Sequence, residues 1–243
     1  MFKKRYGFVA MLFLLFLIIG SSAAVNQDIT NDGTFNDVQD VINQGNVGSG
    51  DIIYLNNHTF TGSGSEISVN KNGITIDGSI NPDKGGTGSE TSTLDANNLS
   101  RVINIGGASN VVLKNIIFTN GNLVGNDKQF SVNGAGIYNS GSNLTLENCE
   151  ISNCSATSDY VSDIHGALYS TNKISMSNCV LKNNKACNYY DKPMSGYVVR
   201  LAVFEGSMVN CTVRDNFVYS KGLMTTGISM YGSLSNRVAN VKL

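Results

Sequence analysis

The residues best equipped for chemistry fall in "SDYVSDIHGALY", Ser158 to Tyr169. Asp159, Asp163 and His165 stand close together there. A carboxylate near an imidazole suits proton transfer or metal ligation. The same residues describe an ordinary loop with a surface histidine, and we read them so. A second group, Asp77, Asp83 and Asp95, borders the Gly/Ser-rich insertion Gly78 to Asn98. Hard cations take oxygen ligands of this kind. The spacing is neither that of an EF-hand nor of a nonapeptide calcium repeat, so a flexible surface loop is expected. Glu147 and Glu150 form a third group. Glycosidases place two carboxylates roughly 5 to 9.5 Å apart. These two flank a predicted bend, so their side chains should diverge. The spacings assemble no catalytic set, no cofactor site and no metal site.

The elements that would hold such residues are set by a repeat. Four twelve-residue windows align without gaps: "NVVLKNIIFTNG" from Asn110, "NLTLENCEISNC" from Asn143, "KISMSNCVLKNN" from Lys173 and "EGSMVNCTVRDN" from Glu205. The sixth position is Asn115, Asn148, Asn178 and Asn210, spaced 33, 30 and 32 residues apart. Apolar residues hold positions two and four, then seven and nine, with Gly206 the exception. One face of a strand repeats every two residues. The gap of three between positions four and seven therefore inserts a corner. Asparagine, the non-glycine residue most tolerant of left-handed backbone, sits at it. "GITIDGSI", Gly73 to Ile80, fits the same frame with Gly78 at the bend. Glycine takes the left-handed conformation at no steric cost.

A further short strand precedes each bend: "VINI" from Val102, "GAGIY" from Gly134 and "GALY" from Gly166. Each repeat of about 30 residues thus holds three short strands and three turns. Successive repeats run the same way, so equivalent strands pair in parallel, one circuit of chain supplying the crossover. The predicted fold is all-β: a right-handed parallel β-helix, a solenoid with equivalent residues stacked roughly 4.8 Å apart. Its outward columns read Lys114, Glu147, Ser177, Val209 at position five, and Ile117, Glu150, Val180, Thr212 at position eight. None stacks acid on acid, and Lys114 on Glu147 is expected to be an exposed ion pair.

Residues 1–24 resemble a secretory signal peptide, with Lys3, Lys4 and Arg5 before the apolar run Phe8 to Ile19 and the small residues "GSSAA" after it. Residues 25–48 form an N-terminal cap, with a short helix over Thr34 to Gly45, Thr34 as N-cap and Gly45 closing it. Residues 49–243 form the β-helix. Its first strand pair is Ser49 to Phe60, and a last, incomplete coil falls over Gly227 to Leu234. No further apolar run suggests a membrane span. Without the leader, 14 Lys and Arg face 18 Asp and Glu, a net charge of −4 with no basic cluster. Nucleic acid is excluded as a partner on that ground. Of the five cysteines, Cys149, Cys179 and Cys211 take core positions as a ladder of buried thiols. Cys154 and Cys187 lie nearer turns, and either pair or stay free. Sequons occur at Asn57, Asn98, Asn143, Asn153 and Asn210, and the first two are the better acceptors.

"GDIIYLNNHTFTG", "NGITIDGS", "NVVLKNIIFTNG" and "GAGIYNSGSNLTLENCEISN" resemble the repeats of bacterial polymorphic outer-membrane proteins. They resemble still more the adhesin-like surface proteins of methanogenic archaea. The resemblance spans roughly residues 30 to 220. It implies a right-handed β-helix with a pectin lyase-like fold, exported to the cell surface or secreted, and adhesion to cells, glycans or envelope material. Two other functions fit such a scaffold: a polysaccharide lyase or glycosidase, and a structural envelope spacer.

Overall fold

A computed structural model describes residues 24–129, 131–191, 195–202, 206–221, 225–231 and 237–239. All but the last residue of the predicted leader lies outside these. The chain winds as a parallel β-solenoid, each circuit adding one strand to each sheet. A first sheet of eight strands runs from Asn26–Asp28 to Arg237–Ala239, and a second of seven from Gly33–Thr34 to Thr212–Arg214. A third, also of seven, includes Ile67–Val69, Ile103–Ile105, Ile137–Asn139, Asp163–Ser170, Ser195–Ala202 and Thr225–Tyr231. Thus the strand pairing begins before Ser49, with Asn26–Asp28 paired to Ile52–Tyr54. It also continues past Leu234, with Arg237–Ala239 paired to Gly206–Val209.

The aligned windows superpose rung by rung. Phe60, Leu94, Phe118, Ile151, Leu181 and Val213 form one continuous interior column. All six are buried. Each such side chain contributes roughly 1.5–3 kcal/mol of burial. Ile116 and the thiols of Cys149, Cys179 and Cys211 are buried alongside. All five cysteines are free and buried, Cys154 and Cys187 included. Burial pushes the Cys154 thiol up to about 12. A hydrogen bond with Cys149, added to burial, takes Cys179 equally high.

The predicted corner is real. Asn115, Asn148, Asn178 and Asn210 have φ of 57°, 52°, 53° and 54°. Their amides also link rung to rung: Nδ2 of Asn148 donates to Oδ1 of Asn115 at 3.3 Å, Asn178 to Asn148 at 3.1 Å and Asn210 to Asn178 at 3.4 Å. The windows hold a second corner of the same kind at position eleven: Asn120, Asn153, Asn183 and Asp215, with φ of 55° to 56°. Gly78 reaches the first corner differently from the expectation, because its φ is not positive. A Cβ there would lie 1.8 Å from the carbonyl oxygen of Asn115. Close backbone approach, not left-handedness, requires this glycine.

Three further expectations need correction. Past the second corner the coils carry a fourth strand, giving a short sheet of Asn122–Val124, Ser155–Ser158, Lys185–Asn188 and Phe217–Ser220. The insertion Gly78 to Asn98 is not wholly loop, since Ser92–Asp95 is a strand of the second sheet. Its remaining turn is pinned where Nδ2 of Asn81 donates to both carboxylate oxygens of Asp28 at 3.1 and 3.0 Å. Finally, the helix α1, Phe35–Asn43, ends at Gln44 in extended backbone, so Gly45 does not close it by a left-handed turn.

The start of α1 is as expected. The backbone N–H and hydroxyl of Thr34 both donate to Asp37 Oδ2, at 2.6 and 2.8 Å. Phe35, Val38 and Ile42 are the buried side of the helix and join the core. Gln39 covers the open edge of the third sheet: its Nε2 donates to the Ser68 carbonyl at 3.0 Å, and its Oε1 accepts from the Ser68 N–H at 2.6 Å. One side-chain amide thereby replaces a missing strand.

Candidate functional site

The sequence-flagged acids do not converge. Lys114 pairs with Asp77, not Glu147, at 2.9 Å. Asp77 is buried and also accepts from Asn115 Nδ2 at 2.9 Å. These bonds lock the first corner, and the hydrogen bond to Asp77 raises the Lys114 pKa. Asp95 accepts from Asn120 Nδ2 at 2.9 Å, which fixes the second corner. Asp83 is exposed at the surface turn. Glu150 is paired with Lys182 of the next coil at 2.7 Å. Among the described residues no group of acids, histidines and cysteines could hold a metal ion.

His165 differs most from expectation, because it is buried rather than on the surface. It lies on the third sheet, where two outward columns run side by side. One stacks Ser68, Asn104, Tyr138, Tyr169 and Arg200. The other stacks Asn133, His165 and Tyr197. A register shift between His165 and Leu168 brings the columns together. His165 Nε2 faces Arg200 Nη1 at 3.2 Å, and Nδ1 faces Asn133 Oδ1 at 2.5 Å. Guanidinium only donates, so Nε2 accepts and the proton sits on Nδ1. Asn133 is held in turn by donating to Ser131 Oγ at 3.0 Å. Burial, reinforced by the Arg200 charge, depresses the His165 pKa to about 3. The imidazole is neutral and fully engaged by Asn133 and Arg200. Asp163 and Asp159 do not form a dyad with it.

The rings stack along the solenoid axis. Tyr138 and Tyr169 lie 5.7 Å apart and 5° from parallel, and His165 and Tyr197 5.6 Å apart and 1° from parallel. Arg101 lies over Tyr138 at 5.1 Å and Arg200 over Tyr197 at 5.3 Å. Ring faces are therefore largely occupied by neighbours. What the surface offers outward is ring edges, guanidinium groups and phenolic hydroxyls. It is built for hydrogen bonding more than for stacking a ligand.

Arg101 joins this face to a cleft of about 580 Å³ lined by Ser65, Glu66, Ser100, Asn122 and Leu123 among others. Its guanidinium forms an ion pair with Glu66 and donates to the carbonyls of Gly134 at 2.9 Å and Asn133 at 3.0 Å. Asn104 Nδ2 donates to the other Glu66 oxygen at 2.7 Å. The exposed side chains of Leu99 and Val124 add apolar surface at the rim.

Sequence reasoning passed over this face, although a signal was present. Stepping 31 residues from Tyr138 reaches Tyr169, and 31 more reaches Arg200. Stepping 32 from Asn133 reaches His165, and 32 more reaches Tyr197. Among the described residues no helix is long and apolar enough to cross a membrane. Compared with known proteins, the chain matches no family model and no curated sequence.

Proposed function

We propose that this is an exported, cell-surface β-solenoid, adhesin-like in role, which binds glycan of another cell or of the envelope through the third-sheet face. The leader-like N-terminus and the likeness of the repeats to adhesin-like surface proteins of methanogenic archaea support export and display. The observation that carries binding is the column that brings Tyr138, Tyr169 and Arg200 to the surface beside the Arg101–Glu66 cleft, backed by the buried rings of His165 and Tyr197. Sugars present many hydroxyls and few apolar groups, and a row of phenols, amides and guanidinium N–H groups complements them. The rung spacing of roughly 4.8 Å repeats donors along the axis at about the length of a sugar ring. A spacer would need no such face. Cleavage of a glycosidic bond generally needs two carboxylates about one bond. Glu66 already has both oxygens engaged, so binding is the reading the geometry favours.

The test is a glycan array and a whole-cell binding assay with the purified protein. Wild type binds a subset of glycans or cells. The double variant Tyr138→Ala/Tyr169→Ala loses that binding at least tenfold, with its circular dichroism unchanged. Absence of binding by wild type in both assays would sink the proposal.

A further inference from the structure

Two guanidinium groups lie on the third-sheet face, and they are not equivalent. Arg101 is neutralised by Glu66, and further N–H groups go to backbone carbonyls. Arg200 forms no ion pair with a carboxylate among the described residues. Its Nη1 donates to a neutral imidazole, and its Nε is buried without a hydrogen-bond partner. Guanidinium does not shed its charge in a protein. Among those residues the half-buried cation is met only by that imidazole and by the Tyr197 ring at 5.3 Å, with no counter-charge and with one N–H unsatisfied, which is a costly arrangement in need of a physical reason. Along the same column Tyr169 and then Tyr138 are half-buried, and their hydroxyls have no hydrogen-bond partner among the described residues, so the phenols next to the charge are open to a ligand.

Resting on the glycan reading above, we infer that the preferred ligand is an acidic saccharide, whose carboxylate or sulfate ester is held by the Arg200 guanidinium while the tyrosine hydroxyls take its neighbouring hydroxyls. The fork of a guanidinium matches two oxygens of either anion. The chain carries a formal net charge of −1, so a diffuse polyanion gains nothing from the molecule's overall field. Attraction is confined to this spot. That favours a ligand with spaced charges and many hydroxyls over nucleic acid.

Calorimetric titration with probes on one backbone tests this. They are a glucuronic acid oligosaccharide, the same chain with its carboxyl groups reduced to neutral hydroxymethyl groups, and a sulfated form of that neutral chain. Wild type should bind one or both acidic forms at least tenfold more tightly than the neutral one. The tighter of the two tells carboxylate from sulfate. Arg200→Gln should abolish the acidic preference, so that the acidic and neutral forms bind with equal affinity. Arg200→Lys, which keeps the charge but not the fork, should retain part of the preference and shows that the face still folds. Equal affinity of wild type for acidic and neutral forms overturns the inference and leaves glycan binding standing. An acidic preference that survives Arg200→Gln overturns the assignment to this residue. A single-stranded DNA oligonucleotide bound as tightly as the acidic sugar overturns the saccharide class. Silence from all three sugars also overturns it, and the array and cell assays then decide separately whether the glycan reading survives.

Discussion

His165 is a base that refuses its proton. Its folded pKa of about 3 lies below the ordinary 6.5. As pH falls through 6.5 the unfolded chain takes up a proton that the folded chain declines until about pH 3. Stability from this group is therefore complete above the unfolded pKa and drains away between those values, by up to about 5 kcal/mol. Expected is a stability–pH curve for wild type steeper than that of His165→Gln by about 1.4 kcal/mol per pH unit below 6.5. Urea titrations across that range measure it, and parallel curves would contradict the buried neutral imidazole. At the corner, Asn148 supplies both a left-handed backbone and two amide links. Asn148→Ala should cost about 1–2 kcal/mol for the backbone alone and about 1 more for the lost bonds. Asn148→Gly should cost less, because glycine removes the strain and forfeits only the bonds. An equal or reversed order of the two midpoints would refute that partition.

An element in a solenoid is stabilised mainly by the rung above and the rung below. An end rung therefore lacks half its partners, and the helix α1 is the answer at the N-terminal end. Its apolar side, Phe35, Val38 and Ile42, is buried against the core, while Gln39 satisfies the N–H and C=O of Ser68 that a strand would otherwise have taken. Gln39→Ala leaves both backbone groups without that partner. The expected loss is about 1–2 kcal/mol, with increased self-association in light scattering, because a bare edge templates strand pairing. A variant as stable and as monodisperse as wild type would show that water satisfies this edge equally well. The helix was legible because Thr34 and the apolar spacing act locally. Gln39 was not, because its partner lies 29 residues away.

Over the whole molecule, the sequence by itself determined the winding. One extra residue between two apolar pairs, with asparagine at the break, repeated every 30 to 33 residues, specifies a corner in each coil wherever the coils come to lie. The interior follows, because side-chain alternation and the corner together leave only one face for Phe118, Ile151 and Leu181. Tertiary structure alone decided which outward residues meet. Coils of unequal length, and the one-residue shift after His165, set the registers that gather tyrosines and arginines from separate coils. They also set Lys114 in register between Asp77 and Glu147, and it pairs with the buried Asp77. The physical reason is range. Corners and alternation act between near neighbours in the chain, whereas the polar face exists only once the rungs are stacked in register.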